Sequence, residues 1–229
     1  MNLGFDINLP FFELYQIHGE VSAPYFEMGK FKLYGLEKDQ LRPENKINHH
    51  PLMHLDLNQE VVFYGGSFNP WHNGHQSCVD LLPRQKQLVV LPDLNPQKQI
   101  TDFIAADKWL ELIKKINLQD EASARDIYPG FLIKKKSNPT IQWVTYLKTK
   151  YPKLKVSLLI GFDQLKNFHT WTQVEELSAQ LYHIYVASRL ENEDEFNQVK
   201  RSLERLNLKI IPLGHHAFED ISSSRLRNL

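Results

Sequence analysis

The chain has 229 residues, 42% hydrophobic and 24% charged, with Lys plus Arg and Asp plus Glu balanced at 27 each. That length suits one α/β domain with an appendage, and the balanced charge leaves no broad basic field for nucleic acid or an anionic membrane. No apolar run approaches the ~20 residues of a membrane span and no signal-peptide pattern opens the chain, while the single cysteine, Cys78, excludes an intrachain disulfide framework; a cytoplasmic globular protein is expected.

Residues 1–58 differ in composition from the rest. They are rich in Phe and Tyr, and Phe11–Tyr15 and Lys30–Tyr34 alternate weakly as strands do. Lys38–His54 is polar and punctuated by Pro43 and Pro51. An irregular, partly β extension ending in a linker is expected there. Residues 59–229 read as a separate domain. Val61–Tyr64 is a short apolar run ending at Gly65-Gly66, and a helix is expected over Gly74–Leu82, stopped by Pro83. Further strands are expected at Leu88–Leu91, Val156–Ile160, Tyr182–Val186 and Leu208–Ile211. Between them, Phe103–Ile116, Thr140–Tyr151, Val174–Gln180 and Glu193–Leu206 carry helical periodicity. Strands apolar on both faces and alternating with helices argue for a parallel sheet covered on two sides.

In such a sheet, ligands bind beyond the carboxyl ends of the strands. The first candidate loop is Gly65-Gly66-Ser67-Phe68-Asn69-Pro70-Trp71-His72-Asn73-Gly74-His75. Paired glycines let a phosphate approach the backbone, Ser67 adds a donor, and Gly74 opens a helix whose free amides favour an anion. His72 and His75 flank that helix start, so both imidazoles can converge on one phosphate and donate to it as charge develops. Each piece has a plainer reading in isolation: two glycines form an ordinary turn, and His-x-x-His forms a metal fragment or a solvated helix start.

Taken together and in this order, these residues resemble the signature of the nicotinate mononucleotide adenylyltransferase family. Three later segments follow that family's order. Asn95-Pro96-Gln97-Lys98 resembles its substrate-phosphate loop. Gly161-Phe162-Asp163 with Phe168-His169-Thr170-Trp171 resembles its Gly-x-Asp and Phe-x-x-Trp segment. Ile221-Ser222-Ser223-Ser224-Arg225-Leu226-Arg227 resembles its closing Ile-Ser-Ser-Thr-x-x-Arg motif. The stretch Pro139–Val144 departs from the family pattern, and only Thr140 carries over.

The resemblance implies a Rossmann-like doubly wound parallel sheet and transfer of an adenylyl group from ATP to a pyridine mononucleotide, with release of pyrophosphate. It assigns His72 and His75 to the transferring phosphate. It assigns Gly65, Gly66, Ser67, Phe68, Gly74, Gly161, Asp163, Ser222, Ser223 and Arg227 to ATP, and Asn95, Lys98, Thr140 and Trp171 to the acceptor. Mg²⁺ is expected to arrive with ATP, held mainly by substrate and water and by no protein metal site. Nicotinamide mononucleotide and phosphopantetheine are alternative acceptors, and a non-catalytic nucleotide-binding regulator is the alternative class. Neither a nucleic-acid nor a membrane partner is expected, and oligomeric state leaves no mark. His49, His50, His54, His215 and His216 lie in polar, cysteine-free surroundings and are read as solvated.

Overall fold

A computed structural model describes residues 25–28, 31–34, 56–68, 70–93, 125–127 and 139–227. The first two strands, β1 (Tyr25–Met28) and β2 (Phe31–Tyr34), pair antiparallel in a small sheet of their own. They give the expected β character to part of the first 58 residues. The strand expected at Phe11–Tyr15 lies outside the described residues, as do the helix expected at Phe103–Ile116 and His49, His50 and His54.

The main sheet is built from β3 (Glu60–Gly66), β4 (Gln87–Pro92), β5 (Arg125–Ile127), β6 (Lys155–Gly161), β7 (Leu181–Ala187) and β8 (Ile210–Gly214). Every pairing is parallel and the order is β5-β4-β3-β6-β7-β8. The chain therefore works outward from β3 in one direction, then returns to start again at β6 on the other side. That reversal between β3 and β6 is the topological switch point, where a doubly wound sheet opens a crevice at its carboxyl end. Tyr64 pairs with both Val90 and Leu159, so β3, β4 and β6 run level towards that end.

Strand alternation sends side chains to two separate cores. Val61, Phe63, Val89, Val156, Leu158, Ile160, Ile184 and Val186 pack under α2 (Thr140–Lys150), α4 (Val174–Gln180) and the short α3 (Phe162–Lys166). Val62, Tyr64, Leu88, Val90, Leu159 and Tyr185 pack on the other face under α1 (Asn73–Leu81), through Cys78 and Val79. The central strands are apolar on both faces because both faces are covered. Each buried Val, Leu or Phe contributes roughly 1.5–3 kcal/mol, so a one-residue register slip that exchanged the two faces would be heavily penalised.

Local chemistry sets the ends. Pro83 follows the C-cap Leu82, and α1 ends at Leu81, one residue short of the expected end at Leu82. In α5 (Glu193–Ser202), Asn192 Oδ1 accepts from the Glu195 amide at 2.8 Å, with acids in the first turn and Lys200 and Arg201 in the last. The helix expected to run on to Leu206 instead ends at Ser202, and Glu204–Leu206 tightens into a 3₁₀ turn that buries Leu206. Asn207 then adopts φ 48° and redirects the chain, so β8 starts two residues later than the strand expected at Leu208. β8 also runs through Pro212, which an edge strand tolerates.

The amino end of β3 carries a polar lock. Glu60 Oε1 accepts from Ser157 Oγ (2.6 Å) and Tyr185 Oη (3.0 Å) and meets His183 Nδ1 (2.8 Å), while Oε2 pairs with Lys86. Burial alone would raise the Glu60 carboxyl, but these partners outweigh it and hold the group at about 2. The lock ties β3, β6 and β7 together at the end opposite the crevice. Among the described residues, no helix is long and apolar enough to cross a membrane.

Candidate active site

The β3–α1 loop is shaped by a tight fit between Gly66 and Phe68. A Cβ on Gly66 would stand 2.7 Å from Phe68 Cε1, so the ring lies directly over the glycine. Phe68 holds φ 44°, a left-handed conformation that L-residues seldom adopt. Its ring is buried and packs at 5.0 Å centroid distance on Tyr64, Trp71 and His75. Trp71 adds a second wall 5.3 Å from the His75 ring. The far side of the loop is tied to β4 by the Asp93 amide, which donates to Gly66 O at 2.9 Å.

His72 is the N-cap of α1, and its carbonyl accepts from the amides of His75 (2.9 Å) and Gln76 (3.1 Å). This places His75 in the first turn, with its imidazole stacked on that of His72 at 3.7 Å between centroids. His72 is 8% exposed, and neither of its ring nitrogens has a hydrogen-bond partner among the described residues. Burial, reinforced by the nearby positive charge of Arg189, pushes its pKa down to about 4. His72 is therefore neutral near pH 7, with one ring donor and one ring acceptor unspent. Buried polar atoms without partners are uncommon in folded proteins, and two on one side chain at a cleft wall fit a ligand that supplies the missing bonds.

Both histidines line a cleft of about 970 Å³ at the switch point, together with Gly65, Gly66, Ser67 and Phe68. The end of β6 supplies the next wall. A Cβ on Gly161 would lie 2.5 Å from Asp163 Oδ1, so only glycine leaves room for that carboxylate in its present place. Thr140 opens α2 and lines the cleft beside Trp143, whose ring packs on Phe63 at 5.0 Å. Trp171 is half-buried against Phe168, 4.9 Å between ring centroids, and also faces the cleft.

Ser222 and Ser223 line the cleft at the start of α6 (Ser223–Arg227). Ser222 Oγ accepts from the Arg225 amide at 3.2 Å, a cap that steadies the turn. Ser223 Oγ donates to Pro70 O at 3.0 Å, pinning this segment to the histidine loop. The donor of Ser223 is thus committed, and its lone pairs are what it offers a ligand.

The fold brings the expected residues that are described into one cavity, with the exception of Gly74. Gly74 is buried in α1 and does not line the cleft; its missing side chain admits Phe218 O, His72 Cε1 and His72 Nδ1, which would lie 2.9, 3.0 and 3.0 Å from a Cβ. Arg227 closes α6, and its side chain lies outside the described residues, as do Asn95 and Lys98 entirely. His215 and His216 are not simply solvated: His215 Nδ1 meets Glu219 Oε1 at 2.9 Å, and the half-buried His216 accepts from the Phe218 amide through Nδ1.

Sequence reading passed over Arg189. It leaves the end of β7, lines the cleft, donates from Nη1 to Ile221 O at 2.9 Å and holds Nε 3.8 Å from Asp163 Oδ1. Its position just past a strand's carboxyl end, in a fold whose ligands bind there, was the available signal.

A family model described as Cytidylyltransferase-like matches residues 63–229. A probable nicotinate-nucleotide adenylyltransferase of Leptospira interrogans is 33% identical over 156 residues, covering 64% of this chain and 76% of the relative. One from Staphylococcus saprophyticus is 27% identical over 173 residues, covering 74% and 84%. Among solved structures, nicotinic acid mononucleotide adenylyltransferase of Plasmodium falciparum, complexed with NaAD, matches with a TM-score of 0.59 at 16% identity, over 74% of this chain and 83% of that one. The last likeness is one of fold; the family model's match spans the loop of His72 and His75, the β6 end and the Ser222-Ser223 turn. The chain belongs to the cytidylyltransferase-like family, among the nicotinate-nucleotide adenylyltransferases.

Proposed function

We propose that the protein transfers the adenylyl group of ATP to nicotinate mononucleotide. A phosphate oxygen of the mononucleotide attacks the α-phosphorus of ATP; the new O–P bond forms as the bond to the β-phosphate bridging oxygen breaks. The products are nicotinate adenine dinucleotide and pyrophosphate. The nucleophile is already an anion, so no covalent enzyme intermediate is needed, and catalysis is positioning plus stabilisation of charge. The observation that carries this reading is the stacked His72–His75 pair at the mouth of α1, with both His72 nitrogens unspent in a buried cleft wall. A neutral imidazole aimed at the transferring phosphate donates as negative charge builds on its oxygens.

The remaining roles belong to the same proposal. Ser222, which accepts through its oxygen and keeps its hydroxyl hydrogen, suits the ATP phosphates, with Ser223 pinning the turn to Pro70 and Arg227 closing the same short helix. Asp163, which Gly161 leaves room for, suits the nucleotide's sugar hydroxyls. The half-buried face of Trp171, with Thr140 lining the same cleft, suits the pyridine ring, and Asn95 and Lys98 are assigned to the acceptor phosphate. Mg²⁺ enters as part of the substrate MgATP. Its preference for oxygen fits phosphate and water ligands better than the imidazoles and hydroxyls at this wall.

Pyrophosphate release with ATP and each candidate acceptor tests the proposal. Nicotinate mononucleotide is expected to give a higher kcat/KM than nicotinamide mononucleotide or phosphopantetheine. Equal or reversed efficiencies would overturn the choice of acceptor, and no release with any of them would overturn the reaction.

A further inference from the structure

Glu219 is a buried carboxylate with no part in the mechanism above. Its side chain is 5% exposed and, among the described residues, meets no lysine or arginine. Oε2 accepts from the Leu190 amide at 2.6 Å; Oε1 accepts from the His216 amide at 2.8 Å and meets His215 Nδ1 at 2.9 Å. Burial alone would raise the carboxyl, but the two backbone amides and His215 outweigh it and lower its pKa. A carboxylate hidden from water is tolerated when its lone pairs are filled in this way.

What those bonds join is the point. Leu190 follows Arg189 at the exit of β7 and sits at φ 70°, with its side chain 70% exposed. A leucine gains nothing from that conformation, so something outside the residue must hold it. The Arg189 amide is bonded to Glu191 Oε2 and the Leu190 amide to Glu219. Arg189 Nη1 returns the connection by donating to Ile221 O, two residues beyond Glu219. The β7 exit and the segment leading to Ser222 and Ser223 are thus cross-linked twice. On its other side, that segment brings Phe218 O close to Gly74, the residue whose missing side chain also leaves room for the His72 ring.

We propose that Glu219 is a positioning residue for the ATP end of the cleft, holding the strained β7 exit against the 215–223 segment so that Arg189 and Ser222 face the nucleotide together. The proposal rests on the adenylyltransferase reading, because it concerns the ATP side of that site.

The test is ATP titration calorimetry on the full chain without acceptor, at a temperature where circular dichroism shows each variant folded. Glu219→Ala is expected to weaken ATP binding about tenfold, the effect of losing one charged contact to the nucleotide when Arg189 is displaced. Glu219→Gln, which keeps one acceptor oxygen, should recover part of that loss and carries the test alone if the alanine variant fails to fold. Glu60→Gln is the control: it perturbs an equally well-bonded carboxylate at the opposite end of the sheet. It should lower the melting temperature while leaving the ATP dissociation constant within about twofold. Glu219 variants that bind ATP as the wild type does would overturn the proposal, as would a Glu60 variant that loses ATP affinity to the same degree. A wild type that binds ATP yet does not adenylylate nicotinate mononucleotide would overturn the functional reading alone; one that binds no ATP would overturn both.

Discussion

The imidazole of His72 lies on that of His75, 3.7 Å between centroids with the planes 24° apart. The stack is supported from outside: Phe68 and Trp71 wall in His75, and the absent Cβ of Gly74 leaves room for the His72 ring. Two rings held face to face at a helix start present their nitrogens to the same small volume. A single phosphate can take a donor from each.

If both rings act mainly as charge develops, losing one removes transition-state stabilisation more than ground-state binding. His75→Ala is expected to lower kcat by roughly 10²–10³, as for loss of one preorganised donor, with the KM for ATP much less affected. His72→Ala should behave alike, and the double variant should lose less than the product of the singles, since both act on one group. Steady-state kinetics beside thermal melts check this. Folded variants with near-normal kcat would sink the mechanism.

The depressed pKa of His72 has a consequence for stability. Its value falls from an ordinary 6.5 to about 4 on folding, and that of the half-buried His216 is lowered as well. Folding therefore favours the neutral rings. Their contribution is intact above the unfolded value of 6.5 and is lost as pH falls towards the folded values. Glu60 and Glu219 act lower down: both carboxyls are depressed, so their contribution fades only as pH falls below about 4.5. Urea unfolding of the ligand-free protein should show stability declining from about pH 7 to about pH 5. His72→Asn should flatten part of that slope, with His216 accounting for a remainder. An unchanged slope in the variant would mean that the His72 pKa is the same in the folded and unfolded states.

Gly74→Ala offers a direct reading of packing against propensity. In an ordinary helix the change is favourable by about 1 kcal/mol. Here the new methyl would meet a backbone carbonyl, Phe218 O, at 2.9 Å and two His72 ring atoms at 3.0 Å. The carbonyl belongs to main chain and cannot turn aside cheaply, so the variant is expected to melt earlier and to lose kcat by about tenfold or more as the His72 ring is displaced. A variant more stable than the wild type with unchanged kcat would contradict this account.

Much of the architecture could be read along the chain because it is written in local terms. Val61–Tyr64 and Leu88–Leu91 are apolar without alternation, and Val156–Ile160 nearly so apart from Ser157, the mark of strands buried on both faces, and Val174–Gln180 matched its helix end for end. The loop from Gly65 to His75 follows such a strand and precedes a helix, so its place at the crevice came with the pattern. The shortest elements left no such trace. β5 has 3 residues and α3 has 5, too few for a periodicity to repeat.

What only the tertiary structure decided is how distant groups share polar atoms. Glu60 joins residues from three strands, Glu219 accepts an amide 29 positions away, and Ser223 donates to Pro70 across 153. The Arg189 side chain spans β7 and the closing turn in the same way, reaching Ile221 O. Hydrophobic burial is non-directional and repeats with the helix or strand, so composition records it residue by residue. A hydrogen bond needs one donor and one acceptor at a set distance and angle. That condition is met only after the sheet has assembled, which is why the sequence alone placed His72 and His75 at the crevice while Glu219 and Arg189 emerged from the fold.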